Sequence, residues 1–266
     1  MQTWAVTYDP SLFTEELYQK GLQLVDPESA AKIKRFNVGP ASKGGLISRL
    51  LPRMLLKKKG IASREMTFAA TTAGKPYITT PGIDPPIAYN VSHDNSLVVM
   101  AFTSGKLNPP AFSIGIDVMK VQMSSRQDTY ASFINIFRDQ LTPLERRLLL
   151  SPGVTDHEGL KRFFWMWTLK EAYTKALGIG LGFDFSRVEF DVESDIVRVD
   201  GTVPGGWRFT KFELKEGESL NVGVVAELIG DTETVVISEK ETKEWLLPFT
   251  AVAFVEQAIH ELTPPS

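Results

Sequence analysis

Charged side chains form a stripe on a predicted helix in the second half of the chain. The segment WTLKEAYTKALGIG, residues 167–180, places Trp167, Glu171 and Lys175 at i, i+4 and i+8, so the three lie in one column. Lys170 flanks this column. A carboxylate among ammonium groups suits a site that binds a metal ion and a phosphate. The alternative is an exposed Glu–Lys ion pair, which stabilises a helix by roughly a few tenths of a kcal/mol.

A second acidic candidate interrupts a strand pattern. Side chains alternate between the two faces of a strand, and FSIGIDVMK, residues 112–120, therefore places Ile114 and Ile116 on the expected core face and Asp117 on the other. Aspartate is unfavourable inside strands, and such violations of local preference concentrate at functional sites. The alternative is that Asp117 ends the strand and caps a turn.

Two turns in the first half present groups that can bind an anion. NVSHDN contains Ser92, His93 and Asp94, and a Ser-His pair at a strand end can donate hydrogen bonds to a phosphate. The three residues do not indicate a hydrolase triad, because triads are assembled in space and the G-x-S-x-G elbow is missing from the sequence. In TTAGKP the Gly74–Pro76 frame presents Lys75. The alternative in both cases is an ordinary exposed turn.

The elements that must position these residues can be predicted from periodicity and turn signals. In the first half we predict a strand at 3–8, a helical stretch at 14–36 interrupted at Pro27, and a helix at 42–59 that is kinked or restarted near Pro52, with Gly60 after its end. The remaining first-half segments are three β-prone runs, 64–70, 86–92 and 96–104, and a linker, 107–112.

The second half repeats this order of elements. Thr142, Pro143 and Glu145 predict a helix start with a capping box, and a further helix is expected at about 157–178. Four strands are expected near 187–192, 196–201, 207–215 and 220–228, and the tail is helical at least from Thr250. Each half thus contains a strand, helices and then further strands, which predicts an α+β protein with two similar lobes.

Composition excludes several classes of protein. A net charge of −3 over 266 residues does not indicate a nucleic-acid binder, so an anion site must be a local cluster. The chain has no cysteine, which excludes disulfides and thiolate zinc sites, and its histidines, His93, His157 and His260, lack zinc-ligand spacing. No signal-peptide pattern opens the chain and no apolar run approaches a membrane span. We therefore expect a soluble cytoplasmic protein. Composition does not set the oligomeric state, for which we expect a monomer.

Taken in order, the motifs GKP, NVSH, IGIDVMK and WTLKEAYTKALGIGLG resemble those of the 4′-phosphopantetheinyl transferase superfamily. The resemblance covers about residues 74–190 and is to the long, pseudo-dimeric, Sfp-like branch, nearest to its eukaryotic broad-range members. It implies a duplicated α+β fold of two similar α/β lobes related by a pseudo-twofold axis, with the active site in the cleft between them. The lobes would be 1–110 and 111–266, the second carrying the metal motifs and a C-terminal extension.

The resemblance also implies an activity, a metal and a catalytic set. Members of the family transfer the 4′-phosphopantetheine arm of coenzyme A to a serine of an apo carrier protein and release 3′,5′-ADP. Asp117 and Glu171 would bind Mg²⁺, and Lys175 would reach a pyrophosphate oxygen of coenzyme A. Lys170 would assist in this contact with coenzyme A, or it would only lie at the edge of the cleft. Hard carboxylate oxygens are suitable Mg²⁺ ligands. The serine proton would pass to Glu171, directly or through water, or to water with no dedicated base.

Binding of coenzyme A is implied for residues of the first half. By the resemblance, Ser92 and His93 face the 3′-phosphate, together with Lys75 and Lys32. Lys43, Arg49 and Arg53 are further candidates. Many bacterial members carry a third carboxylate two residues after the metal-strand aspartate, and here that residue is Met119. Asp94 is the candidate replacement, with a simple turn aspartate as the alternative.

The expected partners are acyl or peptidyl carrier proteins of fatty-acid, polyketide, nonribosomal-peptide or lysine pathways, with no nucleic acid and no membrane. A docking surface is expected on Phe133, Ile134, Ile136, Phe137, Arg138, Arg146 and Arg147, with core packing as the alternative for the apolar members. Two other functions stay open. One is a Mg²⁺-dependent phosphohydrolase acting on a nucleotide or coenzyme A, and the other is a non-catalytic module that binds coenzyme A or carrier proteins.

Overall fold

The computed structural model describes residues 1–35, 40–105, 114–123, 129–179, 182–238 and 245–264. Its strands are β1 Gln2–Thr7, β2 Phe68–Ala70, β3 Pro76–Ile78, β4 Ile87–Asp94, β5 Leu97–Ser104, β6 Ile114–Lys120, β7 Val188–Asp191, β8 Ile196–Val199, β9 Trp207–Glu216, β10 Ser219–Leu228, β11 Val235–Ser238 and β12 Leu246–Thr250. Its helices are α1 Glu15–Leu22, α2 Pro27–Arg35, α3 Pro40–Lys58, α4 Tyr130–Ile136, α5 Pro143–Leu149, α6 Asp156–Leu177 and α7 Ala251–Leu262.

The chain divides into two units. Unit 1 comprises Met1–Thr72, Pro76–Ala111 and Thr242–Ser266, and unit 2 comprises Ala73–Lys75 and Phe112–Glu241. Among the helices of the described residues, none combines the length and the apolar character that crossing a membrane requires.

Unit 1 is built on a four-stranded sheet in the order β12-β1-β5-β4. The β12–β1 pair is parallel and the other two pairs are antiparallel. Alternate residues of β1 and β5, such as Trp4, Val6 and Met100, pack in the core with α3 and α7. The α3 residues of this core repeat at intervals of four along the helix: Leu46, Leu50 and Met54, with Ile47, Leu51 and Leu55.

Unit 2 has a four-stranded sheet in the order β11-β9-β10-β6, with β11 parallel to β9 and the other pairs antiparallel. The 22-residue helix α6 packs across β6 and β10. Val222, Val224 and Ala226 of β10 share a core with residues of α6 such as Met166, Leu169 and Ala172. The helix therefore lies on the sheet face that also carries Asp117, the register partner of Val224.

The two units share a chain order and a pairing pattern, which confirms the predicted α+β fold of two similar lobes. In each unit a strand is followed by helices and then by an antiparallel hairpin whose second strand pairs with the first strand. The three strands are β1, β5 and β4 in unit 1 and β6, β10 and β9 in unit 2. The fourth strand differs, since β12 joins β1 whereas β11 joins β9.

The C-terminal segment differs from the prediction, which assigned it to the second lobe. In the structure β12 pairs with β1 in parallel, and Phe254 and Val255 of α7 are buried in the core of unit 1. The segment therefore completes the sheet and core of unit 1. The predicted strand at 64–70 also shortens to β2, because Ser63–Glu65 form a 3₁₀ turn.

Local signals predicted several helix ends correctly. Gly60 has φ +83° and its N–H donates to the Lys57 carbonyl, while Ile61 N–H donates to the Leu56 carbonyl, which is the Schellman arrangement. Thr142 and Glu145 form both bonds of the capping box. Pro52 lies inside α3, which continues past it, and Pro27 begins α2.

Candidate active site

Helix α6 presents the predicted column to one cavity. The Thr155 hydroxyl accepts a hydrogen bond from Glu158 N–H at the start of the helix, and Gly178 ends it with φ +67°. A cavity of about 530 Å³ lies along the helix, and Trp167, Glu171 and Lys175 all line it. The i, i+4, i+8 spacing therefore predicted correctly that the three side chains share one face of the helix.

Gly115 lets the helix approach the strand that carries Asp117. A Cβ atom on Gly115 would lie 2.0 Å from the Ala172 carbonyl oxygen and 2.4 Å from the Ala176 backbone nitrogen. No side chain fits there, so the backbones of β6 and α6 meet directly. Asp117 is two residues further along β6 and therefore faces the same helix.

Asp117, Glu171 and Lys175 come together on this face. Lys175 Nζ donates to Asp117 Oδ1 at 2.6 Å, and the Asp117 side chain is only 6% exposed. Burial raises the pKa of Glu171, the negative charge of Asp117 raises it further, and Lys175 lowers it. The two carboxylates are thus close enough to interact electrostatically, and the Lys175 ammonium group binds one of them.

The donor set suits a small divalent cation. Two carboxylates at a partly desolvated site are what Mg²⁺ commonly takes from a protein when phosphate and water supply its other ligands. Within the described ranges, no group of three or more His, Cys, Asp or Glu side chains forms a complete metal site. A metal here would need further ligands besides these two carboxylates, such as phosphate and water oxygens.

Aromatic side chains form the apolar part of the cavity. The Trp167 ring lies edge-to-face against Phe137 and Phe185, with ring centroids 5.2 Å apart in both cases. The residues lining the cavity are Asp139, Gln140, Trp167, Glu171, Thr174, Lys175, Gly182, Phe183, Asp184 and Phe185. Residues 139–140 and 183–185 were not predicted, because no motif marks them and only the fold brings them to α6.

Lys170 is enclosed by protein rather than directed at the cavity. Its side chain is 1% exposed, and Nζ donates to the carbonyls of Gln140 and Phe185, both at 2.9 Å, and to Glu145 Oε2 at 2.7 Å. An ammonium group has three N–H donors, and these three bonds use them all. This geometry does not favour the predicted contact between Lys170 and coenzyme A.

Lys75 also binds backbone carbonyls. Its Nζ donates to Ile114 O at 3.0 Å and to Ala176 O at 2.8 Å, so the side chain joins the start of β6 to the last turn of α6. Burial lowers the pKa of Lys75 to about 8. The contact of Lys75 with a phosphate stays a prediction, and the structure adds a second role in holding β6 against α6.

The other predicted ligand residues lie in unit 1. Ser92 is buried, His93 is exposed and Asp94 ends β4, directly before the tight turn to β5 in which Asn95 has φ +49°. His93 packs near Gly44 of α3, where an added Cβ would lie 3.8 Å from the imidazole. The predicted role of Asp94 as a metal ligand stays a prediction.

The further basic candidates of unit 1 have protein partners. Lys32 is largely exposed and pairs with Glu28 at 2.7 Å. Lys43 donates to the Phe13 carbonyl at 2.9 Å. Arg53 pairs with Asp26 at 2.8 Å and donates to the carbonyl of Arg49. Of these, Lys32 remains the most accessible to an anion.

The predicted docking residues divide by burial. Phe133 and Ile134 are buried in the core of unit 2, which supports the core-packing alternative for them, and Phe137 is half-buried against Phe163 and Trp167. Ile136 is 55% exposed. The accessible members of the set are Ile136, Arg138, Arg146 and Arg147.

Two protein-family models match this chain, and one of them covers the residues of the candidate site. A family model described as the 4′-phosphopantetheinyl transferase superfamily matches residues 113–224, which include Asp117, Glu171 and Lys175. A second model, described as the N-terminal part of 4′-phosphopantetheinyl transferase, matches residues 9–105. Together the two matches cover most of both units.

Named relatives are similar over most of the chain. A 4′-phosphopantetheinyl transferase pptA of Paxillus involutus is 46% identical over 266 residues, which is 98% of this chain and 100% of the relative. A phosphopantetheinyl transferase of a Thraustochytrium species is 30% identical over 75% of this chain and 69% of its own length. The L-aminoadipate-semialdehyde dehydrogenase-phosphopantetheinyl transferase of Mus musculus is 28% identical over 83% of this chain and 74% of its own length.

Proposed function

The chain belongs to the 4′-phosphopantetheinyl transferase superfamily, and we propose that its reaction takes place at the Asp117–Glu171–Lys175 cluster of α6 and β6. The enzyme transfers the phosphopantetheine arm of coenzyme A to a serine of an apo carrier protein. The observation that supports this location is that Glu171 and Lys175 line one cavity, while Asp117 accepts a hydrogen bond from Lys175 and interacts electrostatically with Glu171. The family match covers the same residues.

The bonds exchanged define what the site must do. The serine oxygen forms a bond to the phosphorus that carries the pantetheine arm, and the bond from that phosphorus to the oxygen bridging to 3′,5′-ADP breaks. The serine proton leaves as the new bond forms, and negative charge grows on the departing phosphate. Such transfers depend on positioning and electrostatic stabilisation more than on covalent catalysis.

Asp117 and Glu171 would hold Mg²⁺, and their chemistry suits it. When bound, the ion would supply a positive charge that stabilises the charge developing on the leaving phosphate. Lys175 adds a fixed positive charge on the same face and would bind a pyrophosphate oxygen. Asp94 is proposed to supply the third carboxylate, because Met119 stands where many bacterial members carry one.

Glu171 is the proposed proton acceptor. Its carboxylate lines the cavity on the same helix face as Lys175, where it would take up the proton of the attacking serine. The proton would pass to it directly or through a water molecule, and release to water without a dedicated base is the alternative. The pH dependence of the residual transfer rate in Glu171→Gln tests this role: its acid limb should disappear if Glu171 accepts the proton and persist if the proton passes to water without a dedicated base.

Ser92, His93 and Lys32 are the proposed ligands of the 3′-phosphate of coenzyme A, with Lys75 at the adenosine end. Several phosphate charges need a local positive site in a chain whose net charge is −3. The side chain of His93 is exposed and Lys32 is largely exposed, which leaves both accessible to an anion.

We propose that carrier proteins dock on α5 and the end of α4. A groove of about 590 Å³ is lined by Pro143, Arg146, Arg147, Leu150, Ser151 and Pro152. Its exposed arginines and Leu150, which is 49% exposed, fit an acidic amphipathic helix. Acyl and peptidyl carriers of fatty-acid, polyketide, nonribosomal-peptide or lysine pathways are the candidate partners. A monomeric state and a cytoplasmic location stay predictions.

The docking proposal is tested by reversing charge in the groove. We expect Arg146→Glu with Arg147→Glu to lower the efficiency with carrier protein by roughly tenfold while leaving the KM for coenzyme A unchanged, because rim charges act mainly on encounter. Arg64→Glu, an exposed arginine of unit 1, is the control. Equal efficiency in the two charge-reversal variants would exclude the groove.

The central test is incubation of the protein with coenzyme A, Mg²⁺ and a panel of apo carrier proteins, each compared with its serine-to-alanine version. Intact mass should show one added phosphopantetheine on at least one carrier and none on its alanine version. Phosphate release from coenzyme A without a carrier would instead identify a phosphohydrolase. Binding without any product would identify a non-catalytic module.

A further inference from the structure

A buried ion pair lies directly behind the cavity wall. The Glu145 and Lys170 side chains are 0% and 1% exposed, and Glu145 Oε2 lies 2.7 Å from Lys170 Nζ. Glu145 comes from the first turn of α5, 25 residues before Lys170 in the chain. The proposed reaction needs neither side chain as a ligand or as a base.

Each polar atom of the pair has a partner. Glu145 Oε1 accepts from Phe190 N–H at 3.0 Å, and Oε2 accepts from Thr142 N–H at 2.8 Å as well as from Lys170. Lys170 uses its other two N–H groups on the carbonyls of Gln140 and Phe185. Full enclosure with both oxygens engaged makes Glu145 unsuitable as a proton acceptor.

The two carbonyls are the connection to the site. Gln140 and Phe185 both line the cavity that Trp167 and Glu171 also line. They belong to two different segments, one between α4 and α5 and one before β7. A single ammonium group therefore fixes the separation of two cavity walls, and it does so from the residue next to Glu171.

We infer that Glu145 and Lys170 are positioning residues that set the width of the cavity beside Glu171 by holding the 137–142 and 183–186 segments to α6. This inference rests on the proposed function for its kinetic consequences but not for its structural ones. Glu145 acts through Lys170, since its carboxylate holds the ammonium group in place for both carbonyls.

The ionic character of the pair supports a positioning role. The Glu145 and Lys170 side chains are 0% and 1% exposed, so the enclosure itself opposes both charges. Buried ion pairs can often be replaced by apolar side chains of similar volume without loss of stability. Leucine and methionine would fill the same space, but neither can hold the carbonyls of Gln140 and Phe185.

The test uses this difference between stability and positioning. In the double variant Glu145→Leu with Lys170→Met, we expect thermal stability near that of the wild type but a kcat for carrier modification lowered by about 10²-fold, as for a misplaced catalytic site. The single variant Lys170→Met leaves Glu145 buried without its partner and should be less stable than the double variant. Glu145→Gln, the mildest change, should fold and give an intermediate kcat.

Amide hydrogen exchange measures, in the same variants and independently of enzymatic activity, how firmly the two segments are held. We expect faster exchange in the double variant over 137–142 and 183–186 and unchanged exchange over β9 and β10. The matched control is Lys161→Met with Glu213→Leu, which removes a pair of the same unit at 2.8 Å that is 29% and 38% exposed. The control should alter neither exchange in these segments nor kcat.

Three results separate the possible outcomes. A double variant with the kcat and the exchange rates of the wild type would show that the pair only stabilises the fold, which overturns the inference. Normal exchange in Glu145→Gln and in the double variant would overturn it as well. If the wild type modifies no carrier protein, the proposed function fails, and the exchange measurement still decides whether the pair holds the two segments.

Discussion

Lys170 and Lys175 lie five residues apart on α6, and each ammonium group binds a carboxylate, Glu145 at 2.7 Å and Asp117 at 2.6 Å. The Lys170 pair is 1% and 0% exposed, whereas the Lys175 pair is 29% and 6% exposed and its lysine lines the cavity. The same helix thus carries one enclosed ion pair and one that a ligand can reach.

The difference lies in what surrounds each pair rather than in the charges. Around Lys170, backbone groups of three segments use the remaining donors and acceptors, so the pair has one arrangement. Around Lys175, a second carboxylate lies nearby, and the charge of Asp117 helps to raise the pKa of Glu171. Excess negative charge beside a cavity suits binding of a cation, and a fully satisfied pair suits fixing the cavity walls.

The largest effect should follow from breaking the accessible carboxylate cluster. We expect Asp117→Asn to lower the transfer rate by roughly 10³-fold, because a metal ion contributes several kcal/mol of charge stabilisation and about 1.4 kcal/mol corresponds to a factor of ten. The measurement is the initial rate of carrier modification over a range of Mg²⁺ concentrations. Glu171→Gln should have an effect of the same order.

A matched acidic residue controls for the loss of charge. Asp139 also lines the cavity, but it is exposed and pairs with Arg138 at 3.3 Å. Asp139→Asn should therefore change the rate by less than about twofold. A similar loss in Asp139→Asn and Asp117→Asn would show that general electrostatics, and not the cluster, controls the rate.

The next largest effect should come from disrupting the close contact of β6 with α6 at Gly115, which brings Asp117 to the helix that carries Glu171 and Lys175. Gly115→Ala would place a Cβ 2.0 Å from the Ala172 carbonyl oxygen and 2.4 Å from the Ala176 backbone nitrogen. Both are backbone atoms that cannot rotate away. We expect a loss of about 3 kcal/mol in unfolding free energy, the upper part of the usual range for overpacking. Urea denaturation and the transfer rate should both report it.

Gly205 provides the control for this substitution. An added Cβ there meets no atom within 4 Å, and the residue is not among those with positive φ. Gly205→Ala should leave stability within roughly 0.5 kcal/mol of the wild type. A Gly115→Ala variant as stable as Gly205→Ala would mean that α6 can move away from β6 at little cost.

Sequence patterns predicted what depends on neighbouring residues. The capping box at Thr142, the Gly60 helix end and the Glu171–Lys175 face all follow from spacing within one or two helical turns. Asp117 was identified by its strand position and by resemblance. Gly115 carried a readable signal, since a glycine inside a strand often marks a close approach of another backbone.

What depends on distant partners could not be predicted. The enclosure of Lys170 requires Glu145, 25 residues earlier, and the Phe185 carbonyl after the helix. The pairing of β12 with β1 joins residues more than 240 positions apart, and no local pattern encodes it. The same spacing on α6 is compatible with an enclosed or an accessible lysine until the fold is known.

A smaller effect distinguishes holding a helix from binding a phosphate. Lys75→Met removes donors from the carbonyls of Ile114 and Ala176, and we expect a cost of about 1–2 kcal/mol in stability and a moderate loss of rate. The preference for coenzyme A over 3′-dephospho-coenzyme A should stay within about twofold. His93→Ala, at a proposed 3′-phosphate ligand, should reduce that preference strongly. Loss of preference in Lys75→Met would make Lys75 a phosphate ligand as well.

The smallest effect is a gain in unfolding free energy when the charge of Glu171 is removed from the Asp117–Glu171–Lys175 cluster. The folded pKa of Glu171 is raised above its ordinary value of 4.5, so the folded protein binds more protons than the unfolded chain between these two values. Stability therefore falls as pH rises through that window, and the loss persists at neutral pH. In EDTA, Glu171→Gln should be more stable than the wild type at pH 7.5 by less than about 1 kcal/mol, and this advantage should shrink at pH 4.

Urea denaturation at the two pH values measures this difference, with Glu256→Gln on the exposed face of α7 as the control. The control should show no such gain at pH 7.5. Because the proposed Mg²⁺ would bind the charged carboxylates, it should stabilise the wild type more than Glu171→Gln and so reverse the order of the two proteins. A Glu171→Gln variant that is less stable than the wild type without metal would show that Lys175 already compensates both carboxylates, and the cluster would then resemble the enclosed pair at Lys170.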